Sequence, residues 1–266
     1  MADATASSPD GTIELLVRAD DSGKTRDINL AVRRAHLAGI ITSTSLMPAG
    51  LYFDEALETY RDLPDLALGV HVALICDYPV RPVLPAAEVP SIVGPDGFLY
   101  RTLEDLVTAE PQAEELEREI RAQVAKAQAT GVRLSYVDYH MATQSAPGAT
   151  EMMQQVCREE RLIFDQVGLC ERAHLSPESW RCVRHEDGQV VWVCGPTFTP
   201  EQRQGFWTKL AALGPNRWWE PVHPGSREPQ SVSIMELLLD PETRRIIDER
   251  GIRLISHHDL WAEVYG

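Results

Sequence analysis

Ionisable residues recur where the apolar runs of this chain end. Asp20 and Asp21 close the first run and His71 lies in the third. Asp138 and His140 close another, and Glu220 and His223 end a later one, ahead of Pro224-Gly225. Each has a plain structural reading when taken singly. A strand-end histidine is commonly a satisfied polar residue, and an Asp-Asp pair after a strand is commonly a turn or a helix cap. The group gains weight because four separate runs deliver acids and imidazoles together. Two histidines and one aspartate make a sound divalent-metal set, and such an ion lowers the pKa of a bound water and polarises a carbonyl. A second carboxylate beside the ion suits a general base, and a histidine across the site suits a general acid for an amine leaving group. Side chains alternate along extended backbone, so of Asp20 and Asp21 one is expected to face the ion while the other points elsewhere.

Bringing these residues together requires strands that end on one rim. IELLVRA (13–19) is short, apolar and bounded by turn signals, and so reads as a buried strand. Asp27 is expected to cap a helix reaching Ala38, with Ile28, Ala31, Val32 and Ala35 on one face. IITSTSLM (40–47) reads as a second strand on its β-branched content. A short helix is predicted over 53–61 and a third strand over 66–74. The proline-bearing stretch after it, 79–95, is expected to be a long loop of the kind that forms lids. The strongest helical pattern runs over 111–130, with Glu114–Arg118 and Glu117–Arg121 on its exposed side. VRLSYVDYH follows as a strand, then a helix over 149–160 and a strand over 162–164. Residues 165–200 read as irregular, with a hairpin around Asp187-Gly188. A helix over 201–213, a strand ending NRWWEPVH, a helix over 241–250, the strand IRLIS and a terminal helix complete the chain. Strands alternating with helices imply parallel βαβ units. The expected fold is α/β, a (β/α) barrel that is distorted or incomplete, with a doubly wound open sheet as the alternative. In a parallel barrel the strand C-termini carry the site.

Composition narrows the function classes. The 266 residues are 44% hydrophobic and 24% charged, which suits a globular chain. Lys+Arg number 25 against Asp+Glu 40, a formal net charge of -15. That balance argues against nucleic-acid binding, which draws on basic contacts to phosphate, and against a polybasic membrane anchor. No apolar run approaches the roughly 18 residues of a spanning helix. Residues 1–10 are expected to be a disordered lead-in, and 11–266 one catalytic (β/α)-barrel-like domain. Five cysteines with no CxxC pair lead to an expectation of reduced thiols and a cytoplasmic location. A covalent serine hydrolase is disfavoured because no Gly-x-Ser-x-Gly elbow occurs.

The motifs, in order, are Ala19-Asp20-Asp21-Ser22-Gly23, Asn29, Thr42-Ser43-Thr44-Ser45-Leu46-Met47, Gly69-Val70-His71-Val72-Ala73-Leu74, Asp138-Tyr139-His140, and Glu220 through Gly225. In this succession, along nearly the whole chain, the sequence resembles the YdjC-like carbohydrate deacetylases, which include chitooligosaccharide deacetylases. The resemblance implies a (β/α)-barrel-like fold, often dimeric, that hydrolyses an N-acetyl group on an acetamido sugar or oligosaccharide. It implies that Asp21, His71 and His140 bind one divalent ion, that Asp20 is the catalytic base, and that His223 assists the leaving group. It permits Mg²⁺, while imidazole-rich ligation favours Zn²⁺. The chain departs from the family pattern at Ser22, where a bulky residue is usual, and at Met141-Ala142-Thr143-Gln144, where further histidines are usual. The stretch 165–200 is not matched to the family pattern.

Other residues carry weaker expectations. Asp138 is two positions before His140 and is expected either to touch substrate or to orient an imidazole. Of Trp218 and Trp219, alternation points one towards the site, where an aromatic face stacks on a sugar ring; Trp219 is the candidate. Cys170, His174, Cys182 and His185 have tolerable spacing for a structural zinc, against the plainer reading of an irregular loop with idle thiols. His257-His258 follow a strand and are expected at a helix start. The functions to be weighed against a sugar deacetylase are a metal-dependent amidase on a non-sugar substrate and a sugar-binding or isomerase barrel.

Overall fold

The computed structural model describes residues 11–165, 169–177, 181–184, 190–193 and 195–266. The strand β1 (Ile13–Ser22) leads into the helix α1 (Arg26–Ala38), and β2 (Ser43–Leu46), α2 (Phe53–Tyr60) and β3 (Ala67–Val72) follow. Then come α3 (Leu103–Thr108), α4 (Ala113–Gln128), β4 (Leu134–Tyr139), α5 (Ala149–Glu160), β5 (Ile163–Phe164) and β6 (Glu171–Arg172). The hairpin strands β7 (Arg181–Arg184) and β8 (Val190–Val193) pair antiparallel. The expected turn between them, Asp187-Gly188, lies outside the described residues, as does the lead-in 1–10. The chain ends with α6 (Pro200–Ala211), β9 (Asn216–Val222), α7 (Pro229–Leu239), α8 (Pro241–Arg250), β10 (Ile252–Ile255) and α9 (His257–Tyr265).

The main sheet runs in the order β5-β4-β3-β2-β1-β9-β6, and all of its pairings are parallel. β1 is its centre. β9 pairs with β1 from Ile13 to Ala19, β10 pairs with its first half, and β2 with its second. Among the described residues β5 and β6 do not pair with each other, so the barrel is open. This is the incomplete (β/α) barrel expected from the strand-helix alternation.

Alternation along β1 sorts its side chains into two environments. Leu15, Val17 and Ala19 join the main apolar core, which also takes Ala31, Val32 and Ala35 of α1. Leu16 faces the opposite way and joins a smaller inner cluster with Tyr136, Ile163, Ile255 and Leu260. Gly69 makes room for that cluster: a β-carbon there would lie 2.4 Å from the ring of Tyr136. Above this apolar layer the inward residues of the strands become polar.

Several local expectations are corrected. Thr25, not Asp27, caps α1, its hydroxyl accepting from the backbone of Ile28. Asp27 instead accepts from the backbone N of Ser226, tying the turn after Pro224-Gly225 to the start of α1. The segment 79–95 is not a free loop. Val80, Val89 and Ile92 are buried in the core, and Glu119 of α4 accepts from the backbone of Val83 and Leu84. The helices α3 and α7 were not expected. α7 buries residues on most of its circumference, from Gln230 to Leu238, so it lacks the one-sided pattern that marks a surface helix. Among the described residues no helix is long and apolar enough to cross a membrane.

Candidate functional site

A cleft of about 390 Å³ opens at the C-terminal ends of β1, β3, β4 and β9. The inward parity of each strand supplies its walls. β1 contributes Arg18 and Asp20, β3 contributes His71, and β9 contributes Trp219, Pro221 and His223. On β4 the inward sequence Tyr136, Asp138, His140 climbs from the apolar layer to the cleft.

Asp21 breaks the parity. Both Asp20 and Asp21 line the cleft, and among the described residues only Asp21 of the two belongs to a grouping that could hold an ion. The register of β1 with β2 slips between Ala19 and Ser22, and Asp21 takes a left-handed backbone with φ 69°. Such a conformation is uncommon for a side-chain-bearing residue and is most accessible to Asn, Asp and Gly. The turn beyond it is held by Gly23, whose amide donates to the side chain of the buried Asn29. Met141, directly after His140, is also left-handed at φ 52°. Strained backbone thus follows one candidate ligand and forms another.

The three donor atoms form a triangle. Asp21 Oδ1 lies 2.8 Å from His140 Nδ1 and 3.2 Å from His71 Nε2, and the two ring nitrogens lie 3.3 Å apart. Ligands about 2.1 Å from a shared ion stand roughly 3 Å from one another, so the edges of this triangle suit one cation. All three residues are buried. A second grouping, Cys76, Asp77 and His140, shares the other nitrogen of His140.

Behind the triangle lies a polar network that supports it. Asp138 Oδ1 faces His71 Nδ1 at 2.8 Å, and its other oxygen accepts from Ser45 Oγ at 2.9 Å. Asp138 is buried, does not line the cleft, and has an imidazole as its neighbour. Arg18 is the hub. Its guanidinium pairs bidentately with Asp20 at 2.7 and 3.0 Å, reaches Asp138 at 3.0 Å, and contacts Asp165. Asp165 in turn accepts from His257 Nε2 at 2.9 Å, and the His257 ring stacks on Tyr136. His257 also begins α9, the helix-start position expected for it.

The electrostatics follow from these neighbours. Burial works against the charge on Asp21, yet Lys24 and His140 hold its carboxyl well below the usual range. Burial likewise opposes charge on His71, but Asp138 prevails and pushes the imidazole up to about 9. His140 is raised well above its ordinary value despite burial, chiefly by Asp21. His257 goes the other way, driven down by burial and by Arg18. Five carboxylates (Asp20, Asp21, Asp77, Asp138, Asp165) therefore gather around Arg18 and Lys24, and Arg172 also lines the cleft. The surrounding carboxylates favour the protonated form of His71 and His140. A divalent cation satisfies the same carboxylates in place of those protons. The donor set of two imidazoles and one carboxylate fits such an ion.

The remaining expected residues fall as follows. Asp20 stands at the cleft wall, with His223 Nε2 3.8 Å from its Oδ2. His223 is 37% exposed. Burial lowers its pKa, against the pull of Asp20 and Asp21. Trp219 lines the cleft and lies over the Arg18 guanidinium, 5.0 Å from its ring centre. Trp218 packs on the core with its indole N–H donating to the Gly214 carbonyl. Glu220, on the outward parity, accepts from the backbone of Leu175 and Ser176 and takes no part in the cleft. Ser22 is buried with its hydroxyl between Thr44 and Tyr60, away from the cleft. The Cys170, His174, Cys182, His185 grouping lies partly outside the described residues. Sequence reasoning missed Arg18, Lys24, Ser45, Asp77 and Asp165. Counting back by twos from Asp20 would have found Arg18; the loop residues carry no such signal.

Comparison with known proteins adds family and fold. A family model described as YdjC-like protein matches residues 14–249. A carbohydrate deacetylase of Brevibacillus brevis is 33% identical over 150 residues, 56% of this chain and 58% of that protein, so the aligned part is little more than half of the relative. A carbohydrate deacetylase of Geobacillus stearothermophilus is 26% identical over 259 residues, covering 92% of this chain and 97% of that one. A solved Enterococcus faecalis structure, described as a candidate cellobiose-phosphate cleavage protein, matches with a TM-score of 0.71 and 23% identity over 94% of this chain and 99% of that one. This last likeness is one of fold.

Proposed function

The chain belongs to the YdjC-like protein family, and from that premise we propose that it is a divalent-metal-dependent hydrolase that removes the N-acetyl group of an acetamido sugar. The observation that carries this reading is the donor triangle of Asp21, His71 and His140 at the base of a cleft that also presents Asp20 and His223. The carbohydrate deacetylase relatives support the sugar as substrate class.

In this reading Asp21, His71 and His140 hold the ion, which when bound supplies Lewis-acid polarisation of the acetamide carbonyl and activation of water. Asp20 accepts the proton of the attacking water. Its bidentate pairing with Arg18 fixes the direction of the carboxylate and leaves it at the cleft wall. His223, across from Asp20 and open to the cleft, donates a proton to the departing amine. A depressed pKa makes its imidazolium the stronger acid. Asp138 holds His71 Nδ1–H, which turns Nε2 to the ion. Trp219, stiffened by Arg18 behind it, offers a flat apolar face to the sugar ring. Acetate and a free amino sugar are the products. The metal is Zn²⁺ by ligand softness or Mg²⁺ by family resemblance.

The test is acetate release from N-acetylated oligosaccharides, with and without chelator. Chelator-sensitive acetate release supports the reading. Sugar binding without acetate would make the chain a binding module, product of unchanged mass would make it an isomerase, and release from non-sugar acetamides alone would make it a different amidase.

A further inference from the structure

The two candidate imidazole ligands are backed on opposite sides of the site. His71 has Asp138 behind its Nδ1. His140 turns its outer nitrogen, Nε2, towards Asp77 Oδ1 at 3.4 Å and Cys76 Sγ at 3.7 Å. Asp77 is itself gripped by Lys24, whose Nζ lies 2.9 Å from Oδ1 and 3.0 Å from Oδ2. The same ammonium reaches Asp21 Oδ2 at 3.3 Å. These contacts close a ring from Asp21 to His140, on to Asp77, on to Lys24 and back to Asp21. The ring contains two of the three donors of the triangle. Lys24 and Asp77 side chains are only 13% and 15% exposed, so neither swings freely into water.

We propose that Lys24 and Asp77 are positioning residues for the metal ligands: Asp77 fixes the ring of His140 through Nε2–H, and Lys24 ties Asp77 to the outer oxygen of Asp21. This rests on reading Asp21, His71 and His140 as the ligands. A metal-bound histidine commonly donates its second N–H to a carboxylate, which sets its tautomer and the direction of its lone pair. With the proton of His140 on Nε2, the lone pair of Nδ1 faces the triangle. With Oδ2 of Asp21 occupied by an ammonium, Oδ1 is the oxygen left to face the ion. Asp77 thus does for His140 what Asp138 does for His71, and Lys24 joins the two halves. The ammonium also stands about 3 Å from the carboxylate that a second cation at Cys76, Asp77 and His140 would need, which keeps the cleft to one ion.

The sign of one measurement separates positioning from bare charge. Removing an ammonium beside a cation site strengthens cation binding if charge alone matters. Positioning predicts the opposite. Zn²⁺ is titrated calorimetrically into the chelator-treated full chain and into Lys24→Met, Lys24→Arg, Asp77→Ala and the double variant Lys24→Met/Asp77→Ala. Asp77→Ala is expected to weaken Zn²⁺ binding about 10–100-fold and Lys24→Met about 10-fold, with Lys24→Arg recovering most of that loss. The double variant is expected within about twofold of Asp77→Ala, because both residues act through one ring. Tighter or unchanged binding by Lys24→Met, or fully additive losses in the double variant, overturns the inference. Should Asp77→Ala fail to fold, Lys24→Met against Lys24→Arg decides the matter. A parent chain that binds no divalent ion overturns the ligand reading itself, and that result is distinct from variants that bind as the parent does.

Discussion

The two ends of β1 treat buried charge in opposite ways. At the N-terminal end Glu14 is fully buried and accepts from Arg217 Nε at 2.7 Å and from the Arg253 guanidinium, while Arg217 also grips Glu263 at 3.0 Å. Two acids meet two bases, and the cluster is complete in itself. At the C-terminal end five carboxylates outnumber the cations Arg18, Lys24 and Arg172 of the cleft, and two imidazoles lie against Asp21. A balanced cluster locks the strands. A cluster with surplus negative charge is finished only by protons or by a cation, and it can therefore change state. Stability at the bottom of a parallel barrel and chemistry at its top is the general division for this architecture, and here it can be read from the charges along one ten-residue strand.

That contrast predicts which variants lose turnover and which lose stability. The largest effect should come from the ion: chelation is expected to cut acetate release by a factor on the order of 1,000 or more, with recovery when divalent metal is restored. Asp20→Asn should lower turnover about 100-fold or more while calorimetry shows Zn²⁺ still bound; unchanged turnover would remove Asp20 from its role. At the other end of β1, Glu14→Gln should lower the free energy of unfolding by about 2–3 kcal/mol, measured by urea titration, with turnover of the folded enzyme unchanged. Equal losses of turnover at both ends would dissolve the comparison.

The smallest effect is a pH dependence. His257 is buried between Tyr136 and Asp165, and its pKa in the folded protein is depressed well below its ordinary value. The unfolded chain then binds the extra proton below about pH 6.5, so the stability that the neutral ring supplies is present above that pH and lost as pH falls. Between pH 7.5 and 5.5 the metal-free protein should lose about 1 kcal/mol through this group, and His257→Phe, which keeps the stacking face, should lose about that much less over the same interval. Identical pH slopes for the two proteins would refute this assignment.

Much of the frame was legible in the residues. Buried parallel strands must be apolar along their length, so β1, β3 and β4 announced themselves, and a rim of strand ends followed. Trp218 and Trp219 divided between core and cleft as alternation requires. Legibility failed where a rule was locally broken or long-range. Asp20 and Asp21 both reach the cleft because the backbone at Asp21 leaves the extended region. α7 escaped notice because a helix buried on most sides has no polar face to give it a period. Lys24 and Asp77 lie in loops 53 positions apart, and nothing local marks them as partners.

From its residues alone this chain could be assigned an alternating α/β architecture and a set of ligand-capable side chains, because periodicity and residue type act over a few positions and need no knowledge of the rest. Only the tertiary structure decided which carboxylate serves which base: that Arg18 answers to Asp20, Asp138 and Asp165, and that Asp21 shares its two oxygens between an imidazole pair and an ammonium. Coulombic and hydrogen-bond partners are fixed by distances of about 3 Å between atoms that the chain brings together from far apart, and such distances exist only after it has folded.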